Sequence, residues 1–363
     1  SRMTNRADLE AHKKTLDELA GIVVDEQASD LHINAFYKPV IRVSGSLLPL
    51  TDFKELTHED SAEFLALMLN EEQRESFDAT KEIDFSYYND THKVRFRGNA
   101  CIQRGAVSIA LRLIPTKIET IADLNLPVEL LRFTERRQGF FLVVGPVGQG
   151  KSTTLAALIE YINQTRAAHI VTIEDPIEFI YTPKQCLIDQ REVRLDTDTF
   201  ESGLYSAFRQ DMDVILVGEM RGNEAIGAAV TAAETGHLVF STLHTNNASQ
   251  TIDRIVDSFP SHQQDQIRIQ LASSLSGIFS MRLVPKIAGG LVPAYELLVN
   301  TRAISNMIRE RRTHEIDTMI ETGSEDGMIS MNNSLTKLVR AGEISVESAL
   351  AASFDPQGLE RLL

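Results

Sequence analysis

The eight residues Gly145-Pro-Val-Gly-Gln-Gly-Lys-Ser152 constrain this chain more than any other part of its 363 residues. They fit G-x-x-x-x-G-K-[ST] at every fixed position. The all-apolar run Phe140-Phe-Leu-Val-Val144 precedes them, and a helical pattern runs from Lys151 to about Ile162. In such a loop the glycines let the backbone curl so that N–H groups point at phosphate oxygens. The N-terminus of the following helix adds a favourable dipole. Gly145, Pro146, Val147, Gly148, Gln149, Gly150, Lys151, Ser152 and Thr153 are therefore the candidate nucleotide-binding residues. Among them Lys151 is expected to reach the β- and γ-phosphates, Ser152 to hold Mg²⁺ and Thr153 to touch the α-phosphate.

Binding a nucleoside triphosphate is not hydrolysing it. Hydrolysis needs a group that orients water and a second acidic contact near the metal. Val214-Ile-Leu-Val217 is a short apolar strand followed by Gly218 and Glu219. A carboxylate at the carboxyl end of a parallel strand lies at the edge where such sheets bind ligands, so Glu219 is the candidate general base or water-orienting group. Glu174, Asp175 and Glu178 form a second acidic cluster just past the run His169–Ile173. They would repel one another without a cation nearby. Glu174 and Glu178 are the favoured candidates, and Asp175 is open to the alternative of capping the turn at Pro176. His237 and His244 flank a further strand at an odd spacing, so on one strand they point to opposite faces. His244, at the carboxyl end, is the candidate γ-phosphate sensor, with an ordinary turn histidine as the plainer alternative.

Two regimes organise the rest. Residues 1–114 mix helices with short strands, Leu31–Phe36, Val40–Val43, Ile83–Tyr88, Lys93–Ile102 and Ala106–Ile114, a helix-flanked antiparallel sheet of α+β type. Thr57 is placed to cap a helix over His58–Leu69. Residues 115–128, bracketed by Pro115 and Pro127, read as a linker. Residues 129–363 alternate apolar strands with helices, an α/β pattern with a parallel sheet, and become mainly helical from about Ala303. A net charge of −15 and a pI near 5.1 disfavour a nucleic-acid partner, whose phosphates call for Lys and Arg. Cys101 and Cys186 read as buried thiols in a reduced cytosol. No apolar run reaches the roughly 18–20 residues of a membrane span, and the N-terminus lacks a signal-peptide core. The chain is thus expected to be soluble and cytoplasmic. Ser1-Arg2 ahead of Met3 reads as a cloning scar.

In this order, Gly145–Ser152, Thr172–Glu178, Val214–Glu219 and Gly236–His244 resemble the Walker A loop, Asp box, Walker B and His box of the secretion and type IV pilus ATPases, the GspE/PilT superfamily. Ala28–His32, Arg95–Asn99 and Leu111–Pro115 extend the resemblance into the N-terminal region. Ala303-Ile-Ser-Asn-Met-Ile-Arg-Glu310 is similar to the A-I-x-N-x-I-R-E helix of the pilus retraction branch (PilT/PilU). Two cysteines cannot build the tetracysteine zinc module usual in assembly-type relatives. Val147 and Gln149 depart from the usual Thr and Ser, Met212 from Pro, and Gly222 from Asp. Neither loop position is expected to need its side chain. Arg191–Asp198 resembles the PilU-like variants as much as the PilT-like ones.

The resemblance implies a PAS-like N-terminal domain, a RecA-like P-loop NTPase domain and a homohexameric ring with ATP between the two domains of a subunit. It implies that arginines complete the site, carried over onto Arg97, Arg104 and Arg112, all expected on the strands before the linker. It implies a motor whose closure, powered by ATP and Mg²⁺, acts on an inner-membrane platform protein, and through it on pilin, from the cytoplasmic face of the membrane. The alternatives are an assembly or secretion ATPase of the same superfamily, and a RecA-like nucleic-acid motor, which the acidic balance disfavours.

Overall fold

The computed structural model describes residues 6–363; Ser1–Met3, where the scar falls, lie outside them. It divides into two compact units, one ending at Pro115 and the other starting at Thr116.

The first unit runs α1 (Arg6–Asp25), β1 (Asp30–Asn34), β2 (Val40–Val43), β3 (Ser46–Pro49), α2 (His58–Met68), α3 (Glu71–Thr80), β4 (Glu82–Asn89), β5 (Val94–Gln103) and β6 (Ala106–Ile114). Its six strands form one antiparallel sheet in the order β3-β2-β1-β6-β5-β4. Leu16, Leu19, Ala20 and Val23 put an i, i+3, i+4, i+7 stripe of α1 into the core with Leu31, Ile33, Phe64, Phe96 and Ile109. Thr57 starts α2 through a capping box in which its hydroxyl takes the Asp60 N–H and the Asp60 carboxylate takes its own N–H. This is the PAS-like α+β unit.

The second unit opens with a 3₁₀ turn (Val128–Phe133) and continues as β7 (Gly139–Val144), α4 (Lys151–Thr165), β8 (His169–Glu174), β9 (Leu187–Glu192), α5 (Phe200–Ala207), β10 (Val214–Val217), α6 (Gly222–Glu234) and β11 (Leu238–Leu243). Then come α7 (Ala248–Asp257), α8 (Ser261–Ser274), β12 (Leu275–Pro285), β13 (Leu291–Val299), α9 (Arg302–Arg309), α10 (Ile316–Thr322), α11 (Met331–Arg340), α12 (Val346–Ala352) and α13 (Pro356–Glu360). Seven strands lie in the order β13-β12-β7-β11-β10-β8-β9, parallel except for the antiparallel edge strand β13. Every residue of β7, β10 and β11 is buried, as covered parallel strands require. This is the RecA-like unit. Its last helices form a small separate core, in which Met331, Leu335, Ala349 and Leu359 pack on Val284 and Val292.

Within the stretch 115–128 read as a linker, Ile121 and Leu126 are buried in the core of the second unit, and Leu130 and Phe133, just after it, are buried with them. The Phe133 ring lies 4.5 Å from that of Phe141, and a Cβ on Gly277 of β12 would come within 2.8 Å of it. Prolines at its ends made this segment look like a connection, although its apolar residues are spaced for burial. Phe133→Ala is expected to cost about 3–5 kcal/mol of stability. Denaturant titration would measure it, and a loss below about 1 kcal/mol would show that Phe133 is not core.

Cys186 is buried, whereas Cys101 is only half-buried; both are free thiols. Among the described residues no helix is long and apolar enough to cross a membrane.

Candidate active site

The loop after β7 curls through three glycines with positive φ, Gly145 (151°), Gly148 (79°) and Gly150 (87°). At Gly145 a side chain would also strike the Met281 carbonyl, at 2.7 Å from its Cβ. Only glycine meets both demands. The loop delivers the chain into α4, whose first residue is Lys151.

Lys151 is buried, and its Nζ donates to the carbonyls of Gly145 (2.6 Å) and Pro146 (2.9 Å). Burial lowers its pKa and nearby Arg282 adds to this, while the carboxylates of Glu219 and Glu178 oppose it. The same Nζ lies 3.1 Å from Nδ1 of His244, directly after β11. An ammonium can only donate, so Nδ1 accepts and the imidazole carries its proton on Nε2. That Nε2 lies 3.2 Å from Oε1 of Glu219, just past β10, and Arg221 donates to Oε2 of Glu219 at 3.0 Å. Lys151, His244 and Glu219 thus form one connected polar chain along the carboxyl edge of the sheet. Their strands are locked in register there, Ser241 Oγ donating to the Val217 carbonyl and Thr242 Oγ1 to that of Gly218, each at 2.6 Å.

Glu174 ends β8 on the same edge. Its Oε2 accepts from Thr172 Oγ1 at 2.7 Å and from Gln190 Nε2 at 3.4 Å. Burial pushes its carboxyl up to about 7, with Glu178 and Glu192 adding to the rise against those two donors. Glu178 is exposed, and its charge bears on both Lys151 and Glu174. Asp175 is taken by Arg194 Nη2 at 2.6 Å. His237 sits at the opposite margin of β11, where its Nδ1 lies 3.0 Å from the Ala232 carbonyl.

Two expectations need correcting. Gln149 does use its side chain: Oε1 accepts the Leu283 N–H at 2.8 Å, tying the loop to β12. The three arginines are not one group. Arg97 of β5 and Arg112 of β6 face each other across the sheet. Arg104 is instead a turn residue with φ 53°, followed by Gly105 at 79°. It is about 24 Å along the hairpin from Arg97 at about 3.4 Å per residue, too far to share one phosphate with the other two. Arg112 donates from Nε to Asp30 Oδ1 at 2.9 Å. All three are exposed.

Sequence reading passed over Arg221 and Arg282. Arg221 follows Glu219 by two residues and could have been found by proximity. Arg282 belongs to β12, which pairs with β7 across more than a hundred residues of chain, so no local signal marks it. It donates to Asn246 Oδ1 at 2.9 Å, and a Cβ on Gly145 would lie 3.6 Å from its Nη1.

These residues suit a nucleoside triphosphate with a divalent cation. The glycine-shaped loop and the N-terminus of α4 offer N–H groups to phosphates. A buried ammonium already held by two carbonyls is placed for a charge, and the Ser152 hydroxyl is exposed at the head of α4. Among the described residues no three His, Cys, Asp or Glu side chains converge as a metal cage. The Ser152 hydroxyl, beside the phosphates of a bound nucleotide, is the group that would hold a cation. Fold and site together define a P-loop ATPase of the RecA-like class.

Comparison with known proteins resolves the class further. Residues 5–328 match the family described as type II/IV secretion system protein, and the chain belongs to that family. It is 43% identical over 334 residues to the type IV pilus retraction ATPase PilT of Pseudomonas aeruginosa, covering 92% of this chain and 96% of that one. It is 39% identical over 336 residues to the type IV pilus ATPase PilU of the same species, covering 92% and 87% respectively. Among solved structures, the pilus retraction motor PilT with bound ADP superposes with a TM-score of 0.87 at 45% identity. That match covers 95% of this chain and 99% of the other.

Proposed function

We propose that this chain is the ATP-driven retraction motor of a type IV pilus. What carries the reading is likeness to a retraction ATPase over nearly the full length of both chains, around a connected Lys151–His244–Glu219 site. The segment Ala303–Glu310 adds to it. It forms α9, capped by Thr301 and anchored by Ile304, Met307 and Ile308.

In this reading the N–H groups of residues 145–153 cradle the phosphates, Lys151 leaves its carbonyl partners for the β- and γ-oxygens, and Thr153 meets the α-phosphate. Ser152 would hold Mg²⁺, which would supply charge neutralisation at the phosphates, and Glu174 and Glu178 would serve as the second acidic contact near it. Glu219 orients the attacking water. His244, held between Lys151 and Glu219, senses whether a γ-phosphate is present. Arg97 and Arg112 meet the developing negative charge, from their own or a neighbouring subunit; Arg104 would act elsewhere. The N-terminal domain spans 1–114 and the ATPase domain 129–363, joined by 115–128, and the division into compact units between Pro115 and Thr116 supports the first of these bounds. The working form is a homohexamer that acts from the cytoplasmic face of the inner membrane on a platform protein.

Deleting the gene in the source bacterium tests the reading. Cells carrying excess pili that fail to retract are the expected outcome. Cells without pili would instead indicate an assembly motor.

A further inference from the structure

One buried charge in the second unit has no part in the chemistry above. Glu296 of β13 is 5% exposed and stands directly opposite Ser280 of β12. Its Oε1 accepts the backbone N–H of Ala248 at 2.9 Å, and Ser280 Oγ lies 3.5 Å from the same oxygen. Ala248 is the first residue of α7, and its N–H is one of the donors a helix start leaves without an intrahelical partner. Only Thr245, Asn246 and Asn247 separate it from His244. That link is itself tightly held: Thr245 Oγ1 lies 2.6 Å from Thr251 Oγ1, and Asn247 caps α7 through the Gln250 N–H. A carboxylate gripping Ala248 therefore bears on His244 through a short, braced segment.

Resting on the ATPase reading, we infer that Glu296 is a positioning residue for hydrolysis. Its grip on Ala248 sets the start of α7, and so holds His244 between Lys151 and Glu219. The buried Ala248 N–H needs an acceptor, but for stability alone a neutral oxygen would serve, and a buried charge is costly. A carboxylate is favoured where a helix N-terminus must be held by charge.

Burial raises the Glu296 carboxyl to about 7, the Ala248 N–H opposing the rise and the charge of Asp317 adding to it. Asp317 of α10 takes Ser249 Oγ at 3.1 Å. The other charged groups nearby are engaged elsewhere, Asp253 of α7 by Thr313 Oγ1 and Arg282 of β12 by Asn246. With the pKa raised, the ionised form grows in as pH rises through about 7. A charged acceptor holds an N–H more strongly than a neutral one, so the grip tightens in the same direction.

The test compares Glu296→Ala and Glu296→Gln with wild type by steady-state ATP turnover, ADP affinity and amide hydrogen exchange over 244–251. Glu296→Ala is expected to lose about tenfold in kcat while ADP affinity stays within about twofold. Exchange at Ala248 should rise about tenfold or more. Glu296→Gln keeps an oxygen for Ala248 and should recover most of kcat near pH 6, then fall behind wild type above about pH 8. The variant-to-wild-type ratio cancels the ionisation of Glu174, which both proteins share.

Unchanged kcat in Glu296→Ala, or kcat and ADP affinity falling together, would overturn the inference. Should the alanine variant fail to fold, a Glu296→Gln ratio flat from about pH 6 to about pH 8.5 would overturn it equally. Wild-type turnover reports on the ATPase reading, whereas Ala248 exchange needs no turnover, so the two can fail separately.

Discussion

Glu219→Gln is expected to bind nucleotide nearly as well as the unaltered chain and to lose turnover by about 10²–10⁴-fold, the usual worth of a positioned acid or base. Glutamine has the same shape and still offers an oxygen to His244 Nε2, 3.2 Å from Glu219 Oε1 in the structure. What it loses is the charge proposed to draw a proton from water, together with the ion pair to Arg221. Lys151 keeps its two donations to the Gly145 and Pro146 carbonyls, neither of which involves Glu219. The signature is therefore a collapse in kcat with ADP affinity within a few-fold. A Glu219→Gln protein that releases phosphate at the wild-type rate would remove Glu219 from its role.

Lys151→Ala is expected to fail one step earlier. Hydrogen bonds to charged groups are worth about 1.5–3 kcal/mol each, so losing the ammonium should weaken ADP binding about tenfold to a hundredfold. The substitution also strips the Gly145 and Pro146 carbonyls of their donor and breaks the contact with His244 Nδ1. The rise in melting temperature that ADP gives the wild-type chain should shrink accordingly, because ligand stabilisation follows the ratio of concentration to Kd. An unchanged thermal shift would count against the assignment. The two variants thus separate binding from chemistry: Lys151→Ala loses the nucleotide, and Glu219→Gln keeps it.

Much of this site could be read from the chain because it is built from strand ends. Apolar runs as unbroken as Phe140–Val144 and Val214–Val217 fit only covered parallel strands, and whatever follows such a strand lands on the ligand edge. Glu174, Glu219 and His244 are legible that way, and Lys151 through the loop motif itself. Segments from Asn246 to Asn300 were harder. There β12 and β13 pair with β7 and each other over long stretches of sequence, and Arg282 and Glu296 have meaning only through those pairings.

The N-terminal unit shows two other kinds of miss. The α1 stripe of Leu16, Leu19, Ala20 and Val23 has helical spacing but lies in a strongly charged segment that hides it. In α3 only Phe77 is buried, and polar residues around it leave almost no pattern to read. Arg104 was misplaced for a different reason. The resemblance carries it onto a strand, but it sits at the turn between β5 and β6, in an Arg–Gly pair with both φ positive.

The central claim is that hydrolysis at Glu219 powers pilus retraction. Its most direct test follows single labelled pili in a strain deleted for this gene and supplied with either wild type or Glu219→Gln. Wild type is expected to restore retraction and the variant to leave pili extended. Retraction at the wild-type rate with Glu219→Gln would contradict it.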